Sequence, residues 1–151
     1  YNLKVNPNNA RSHKNYGGEM ATLAIDMNKD TAKQRRWSEQ AIRELLKANE
    51  IFDGDAVVYI HLGNAYINIR NYTDGEKSLL KALSIDPTNR YAFMSLGYIY
   101  YTSRRYKEAA DIWERIPPEL RSPMDLMNLS SVYHVLGDEQ KAQYYKGLSG
   151  K

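Results

Sequence analysis

The chain has 151 residues, a formal net charge of +3 and no cysteine, which excludes disulfides, thiolate zinc sites and cysteine nucleophiles. Hydrophobic residues make up 42% and charged residues 26%, enough apolar content for a core and too much for a disordered chain. So small a charge does not by itself call for nucleic acid, no apolar run approaches the ~18 residues of a membrane helix, and no signal peptide is in view.

In chain order, residues 1–9 read as the end of an upstream repeat. The chain begins at Tyr1 without Met, inside what reads as the last turn of a helix, so it is expected to be a piece of a longer protein. A first unit spans 10–55, with helices expected over 10–29 and 37–50. Its 46 residues hold a 12-residue insertion between Met20 and Ala41, without Pro or Gly, which is expected to lengthen both helices. Helices over 56–69 and 73–85 form a second unit, 56–89. Helices over 90–102 and 106–116 form a third, 90–122. Helices over 123–136 and 139–147 close the chain as a fourth repeat or a capping helix pair, 123–151. Asp55 and Asn89 stand where helix caps belong, and Pro87 and Pro117-Pro118 end helices because proline lacks the backbone donor.

The units repeat one phrase. Tyr59, Leu62-Gly63, Tyr66, Gly75 and Leu79 return 34 residues later as Phe93, Leu96-Gly97, Tyr100, Ala109 and Trp113. In the first unit Tyr16-Gly17, Ala41, Leu45 and Ala48 take the same slots, and in the fourth Leu129-Ser130, Tyr133 and Ala142 do. The small residues Gly63, Gly97, Ala82, Ala109 and Ala142 are expected where helices cross closely, with the large ones filling the space around them. Such one-sided helix pairs must stack to bury a core.

The pattern of a bulky residue, Leu-Gly, Tyr, Ala, Leu or an aromatic, Ala and Pro resembles the tetratricopeptide repeat (TPR). The resemblance implies an all-α, right-handed α-solenoid of antiparallel helix pairs. It also implies a non-enzymatic scaffold that holds a peptide segment of another protein in its concave groove. A shorter stretch, "LKVNPNNARSHKNYGGEM", is similar to the TPR tails of multi-span membrane glycosyltransferases of the O-mannosyltransferase kind. That likeness implies an accessory tail presenting substrate or partner to an active site outside this chain, with membrane contact only through an upstream region. Self-association through the open end of the first unit is a third reading.

The residues of each first helix that the packing pattern leaves free would line the groove. In the second unit these are Val57, Ile60, Asn64, Ile67 and Asn68. In the third they are Tyr91, Met94, Tyr98, Tyr101 and Thr102, and in the fourth Met124, Met127, Ser131, His134 and Val135. The binding set expected from them is Ile60, Asn64, Ile67, Asn68, Tyr91, Met94, Tyr98, Tyr101, Met127 and His134. Tyr supplies contact area with a hydroxyl, and Met adapts to irregular partners. Packing against the second helices is the competing use of each side chain. TPR domains that grip a carboxylate terminus use Lys, Arg and two Asn; here Lys14 and Asn64 are present, but the companion slots hold Gly18, His61, Tyr91 and Ser95. A free carboxylate would find too few donors.

The turns inside each pair carry a basic edge of Lys33, Arg35, Arg36, Arg70, Arg104 and Arg105, and the turns between pairs carry Asp53, Asp55, Asp86 and Glu119. Helix dipoles account for this arrangement, and contact with acidic headgroups or an acidic partner is the alternative. His13, His61 and His134 fall in three units without ligand spacing, and read as surface or groove polar groups. No phosphate loop, nucleophile elbow or carboxylate pair stands out, so no catalytic residue, cofactor, metal or nucleic-acid site is expected. The glycosylation-type triplets at Asn71 and Asn128 read as chance matches.

Overall fold

The computed structural model describes residues 9–26 and 31–150, and the readings placed on residues 1–8 and 27–30 lie outside them. The described residues form eight α-helices and one short 3-10 turn, with no strand. They are α1 (Ala10–Asp26), α2 (Thr31–Ile51), α3 (Ala56–Asn68), α4 (Tyr72–Ile85), α5 (Arg90–Thr102), α6 (Tyr106–Glu114), α7 (Pro123–Val135) and α8 (Glu139–Ser149); the 3-10 turn is Pro118–Leu120. The all-α fold expected from the sequence is the one observed. The chain divides into two compact units, Tyr1–Pro87 with α1–α4 and Thr88–Lys151 with α5–α8.

In the first three helix pairs, a glycine of the first helix receives a large side chain of the second. A Cβ on Gly17 would lie 2.6 Å from Leu45 Cγ, one on Gly63 would lie 2.5 Å from Leu79 Cγ, and one on Gly97 would lie 2.1 Å from Trp113 Nε1. Real Cβ atoms essentially never approach a neighbour so closely, so glycine is the residue that lets these helices pack. The large partners are buried in return: Leu45 and Leu79 are fully enclosed and Trp113 nearly so. Around the first contact, Met20, Ala41, Ala48, Val58 and Leu62 form the core of the first unit, with Tyr16, Trp37 and Tyr59 packed against its margin.

The turns inside the last three pairs share one backbone design. In the second repeat the Arg70 amide bonds the Ile67 carbonyl at 2.9 Å and the Asn71 amide bonds the Tyr66 carbonyl at 2.9 Å. The same two bonds recur as Arg104 to Tyr101 (3.1 Å) and Arg105 to Tyr100 (2.8 Å), and as Gly137 to His134 (3.1 Å) and Asp138 to Tyr133 (3.0 Å). This is the Schellman arrangement, which satisfies the last carbonyls of a helix and needs one left-handed residue. That residue is Arg70 (φ 60°), Arg104 (φ 61°) and Gly137 (φ 79°) in turn. The residue after it begins the next helix: the Asn71 side chain accepts from the Asp74 amide and that of Asp138 from the Lys141 amide. Arg105, in the same place, makes no side-chain cap. Asp55 and Asn89 cap α3 and α5 as expected.

One boundary departs from expectation. The second helix of the first repeat starts at Thr31 rather than 37, and α2 reaches 21 residues. The segment Ala32, Lys33, Gln34, Arg35 and Arg36 consists of strong helix formers and holds nothing to stop a helix. Lys33, Arg35 and Arg36 therefore sit on the first two turns of α2 and not in the turn before it. The helix dipole disfavours cations at an amino end, so it does not account for these three.

This packing sets two expected stability changes. Arg70→Gly and Arg104→Gly relieve a left-handed backbone that costs an L-residue ~1–2 kcal/mol, partly offset by the entropy glycine loses on folding. Each is expected to raise Tm by about 2–4 °C in thermal denaturation. Gly97→Ala drives a Cβ into the Trp113 indole and is expected to cost ~1–3 kcal/mol, a loss that Trp113→Leu in the same chain should partly recover.

Candidate functional site

The groove positions of the second repeat, within the compact unit Tyr1–Pro87, lie on α3. Ile60 is buried there, and Asn64, Ile67 and Asn68 are half-buried, so Ile60 offers no contact surface. In the first half of α1, the Lys14 ammonium pairs with Asp55 at 2.8 Å, and Gly18 lies under the His61 ring, where a Cβ would stand 2.9 Å from Nε2. Burial first, and then the Lys14 charge, hold the His61 pKa below the ordinary imidazole value. Lys14 already has its carboxylate, and His61 is neutral at neutral pH, which leaves this corner poor in donors for a peptide carboxylate. His13 is not a surface group: it is buried and its Nδ1 meets Glu44 at 2.7 Å. It lies on the α1 face that packs on α2, and that side is not set by spacing alone.

The compact unit Thr88–Lys151, which holds the third and fourth repeats, carries the more exposed face. Tyr91, Met94, Tyr98 and Tyr101 succeed one another on α5 at gaps of 3, 4 and 3, one stripe of a helix. Met124, Met127, Ser131 and His134 repeat that register on α7. Tyr91 is 64% exposed, Tyr98 47%, Met124 58% and Met127 55%. Tyr101 is half-buried: its ring stands edge-on to Tyr106 at 5.4 Å and tilted over Trp113 at 5.9 Å. It closes the α5–α6 pair, the competing use of a groove tyrosine. His134 is exposed, and its Nδ1 lies 2.9 Å from Glu139.

Two arginines fix the frame beneath that face. Arg90, the first residue of α5, donates to the Leu120 carbonyl at 3.0 Å, to Ser122 Oγ at 3.0 Å and to the fully buried Asp125 carboxylate. Asp125 in turn accepts from the Ser122 amide and hydroxyl, completing the cap of α7. Arg121 donates to the carbonyls of Ile116 and Glu114, both at 2.9 Å. Sequence reading missed this clasp, because an Arg at one helix start and an Asp 35 residues on carry no local signal.

Of the basic edge, Arg70 and Arg104 are exposed in their turns. Arg105 stands 4.2 Å over the Tyr100 ring and pairs with Glu108. Arg35 pairs with Glu39 along α2. Lys33, Arg36, Trp37 and Gln40 line one shallow depression on that helix. Among the described residues, no cluster of His, Asp and Glu could hold a metal ion, and no helix is long and apolar enough to cross a membrane.

Residues 56–89 match the tetratricopeptide-repeat family model, and the fold is that of a TPR α-solenoid. Solved structures of MamA share it. One aligns with a TM-score of 0.79 at 21% identity, covering 97% of this chain and 80% of that one. A second gives 0.77 at 21%, covering 97% and 74%, and a MamA AMB-1 structure gives 0.64 at 13%, covering 93% and 90%. At these identities the likeness is one of fold. No curated protein matches the sequence.

The α6–α8 contact is held by one carboxylate. Glu114 Oε1 accepts from Tyr133 at 2.6 Å, Tyr145 at 3.0 Å and Lys141 at 3.5 Å. Burial pushes the Glu114 carboxyl up, but the two phenols and the Lys141 ammonium outweigh it, and its pKa falls below the ordinary 4.5. A lowered folded pKa means stability that is present above the ordinary value and is lost as pH falls through the folded one. Thermal melts of the wild type are therefore expected to decline below pH ~4.5. Glu114→Gln should be less stable at neutral pH and decline less steeply, while the similarly lowered Glu44 and Asp55 keep part of the slope.

Proposed function

We propose that this chain is a non-enzymatic protein-interaction scaffold, and that its second unit receives a partner's segment on the face made by the first turns and middles of α5 and α7. The observation that carries this reading is the exposure of Tyr91, Tyr98, Met124 and Met127 in a unit that has buried Phe93, Tyr100, Trp113 and Tyr133. The register is shared across two helices whose starts are clasped together by Arg90. Large side chains left exposed in one register on two helices are what a contact surface supplies, and Tyr and Met are the residues that bind through shape with little entropic loss or with adaptability. An extended or helical segment with apolar anchors fits such a face. In the first unit, Asn64, Ile67 and Asn68 on α3 offer a smaller, more polar contact of their own.

The test compares the wild type with Tyr91→Ala/Tyr98→Ala in quantitative pull-downs from native lysate. Tyr101 is left in place because its ring closes the α5–α6 pair. Since both substituted side chains are exposed, Tm should change little. A partner retained by the wild type and lost at least tenfold by the variant is the expected result. Equal capture of every partner by the two proteins would overturn the reading.

A further inference from the structure

Along α2, Lys33, Arg36, Gln40, Arg43 and Lys47 succeed one another at gaps of 3, 4, 3 and 4. At ~100° and ~1.5 Å per residue they share about a quarter of the helix's circumference and extend over ~21 Å. All but the half-buried Gln40 are exposed, and the buried residues of α2, Ser38, Ala41, Leu45 and Ala48, lie on the other side. Four cations thus stand in one row with no carboxylate among them. Of the glutamates of α2, Glu39 pairs with Arg35 outside the row. Glu44 meets His13 at 2.7 Å and takes Lys47 as a second partner at 3.2 Å, and Glu50 stands beyond Lys47.

The helix's own electrostatics oppose this row. Lys33 and Arg36 lie in the first two turns, where the dipole disfavours cations, and like charges at gaps of three and four repel along a helix. The second helices of the next two repeats carry no counterpart. On α4, Lys77 pairs with Asp74 and Lys81 stands over the Tyr59 ring; on α6, the exposed Lys107 is followed by the exposed Glu108 and Asp111. An opposing surface of negative charge turns both costs on α2 into attraction, at about fivefold in binding for each Lys or Arg that reaches it.

We propose that the α2 face from Lys33 to Phe52 is a docking surface for a bilayer rich in anionic phospholipid. Charge complementarity calls for an anionic occupant, and the neighbours of the row select lipid. The row runs on to Ile51, 45% exposed, and beside it Phe52, 60% exposed. Phe52 lines a shallow depression together with Arg11, so the apolar end is itself flanked by a cation. At the other end the half-buried Trp37 lies beside Lys33 and Arg36, and tryptophan is enriched at the headgroup level of bilayers. Cations with apolar side chains at their margin bind an anionic leaflet by both charge and entry into the acyl boundary. A hydrated acidic peptide would meet the cations alone and leave Ile51 and Phe52 in water. This surface does not depend on the proposed α5–α7 face.

The experiment sediments the full chain with phosphatidylcholine vesicles, with and without about 30% phosphatidylserine as the anionic lipid. Binding to the anionic vesicles is expected to exceed binding to the neutral ones at least tenfold, and to fall as salt rises. Arg36→Glu/Arg43→Glu should lower it at least tenfold, while Arg36→Lys/Arg43→Lys keeps the charge and should keep the binding. Lys77→Glu/Lys107→Glu makes the same change in net charge on α4 and α6 and should leave binding nearly unchanged. Ile51→Ser/Phe52→Ser should weaken it several-fold even at low salt. Since these side chains are exposed, melts of each variant should show little change in Tm. No preference for anionic vesicles, full binding by Arg36→Glu/Arg43→Glu, or an equal loss in the α4–α6 control would overturn the proposal. So would saturable binding of a glutamate-rich peptide without vesicle binding, which would give the row to an acidic protein segment.

Discussion

The close approach of one glycine to one large side chain sets the geometry of every helix pair that has it. Gly17 under Leu45, Gly63 under Leu79 and Gly97 under Trp113 bring two helix backbones near enough to bury the rest of the seam. That distance calls for the small residues Ala41, Gly75 and Ala109 on the second helices, and leaves the ring-sized space that Tyr16, Tyr59 and Tyr66 occupy at the margin. The turns answer the same constraint. A short reversal must end one helix, satisfy its carbonyls and start the next within a few residues, and the Schellman turn followed by a capping side chain does so.

Legible in the sequence were the features that single residues dictate locally. Glycine at the crossing, Asp55 and Asn89 as caps, and the prolines between repeats have one structural meaning each, and they fell where expected. The start of α2 was not legible because the inserted segment contains no residue that forbids a helix; absence of a breaker sets no boundary. His13 was misplaced for a related reason. A polar side chain on a long helix is buried or exposed according to which neighbour packs on it, and Glu44 is too far along the chain to be paired by inspection.

The candidate site was legible as a face and not as a surface. Period and register put Ile60, Tyr98 and Tyr101 on the same side of their helices, yet burial depends on the second helix of the pair and on the neighbouring repeat. Ile60 is taken into the packing, Tyr101 is drawn onto Tyr106 and Trp113, and Tyr98 remains exposed. The last pair departs from the others in a similar way: Lys146 stands in the slot of Leu79 and Trp113, facing Ser130 in the slot of the glycines. A substitution pair of that kind is visible only once the partners across the seam are known.

The Arg90 clasp has a mechanical side. Its guanidinium holds the end of the 3-10 turn and the cap of α7, while Arg121, just before that cap, ties back to Ile116 and Glu114. The linker between the third and fourth repeats is thereby tied at both ends, to the start of α5 and to the end of α6. A displacement of the start of α7 must therefore break the Arg90 and Arg121 bonds before the linker can bend.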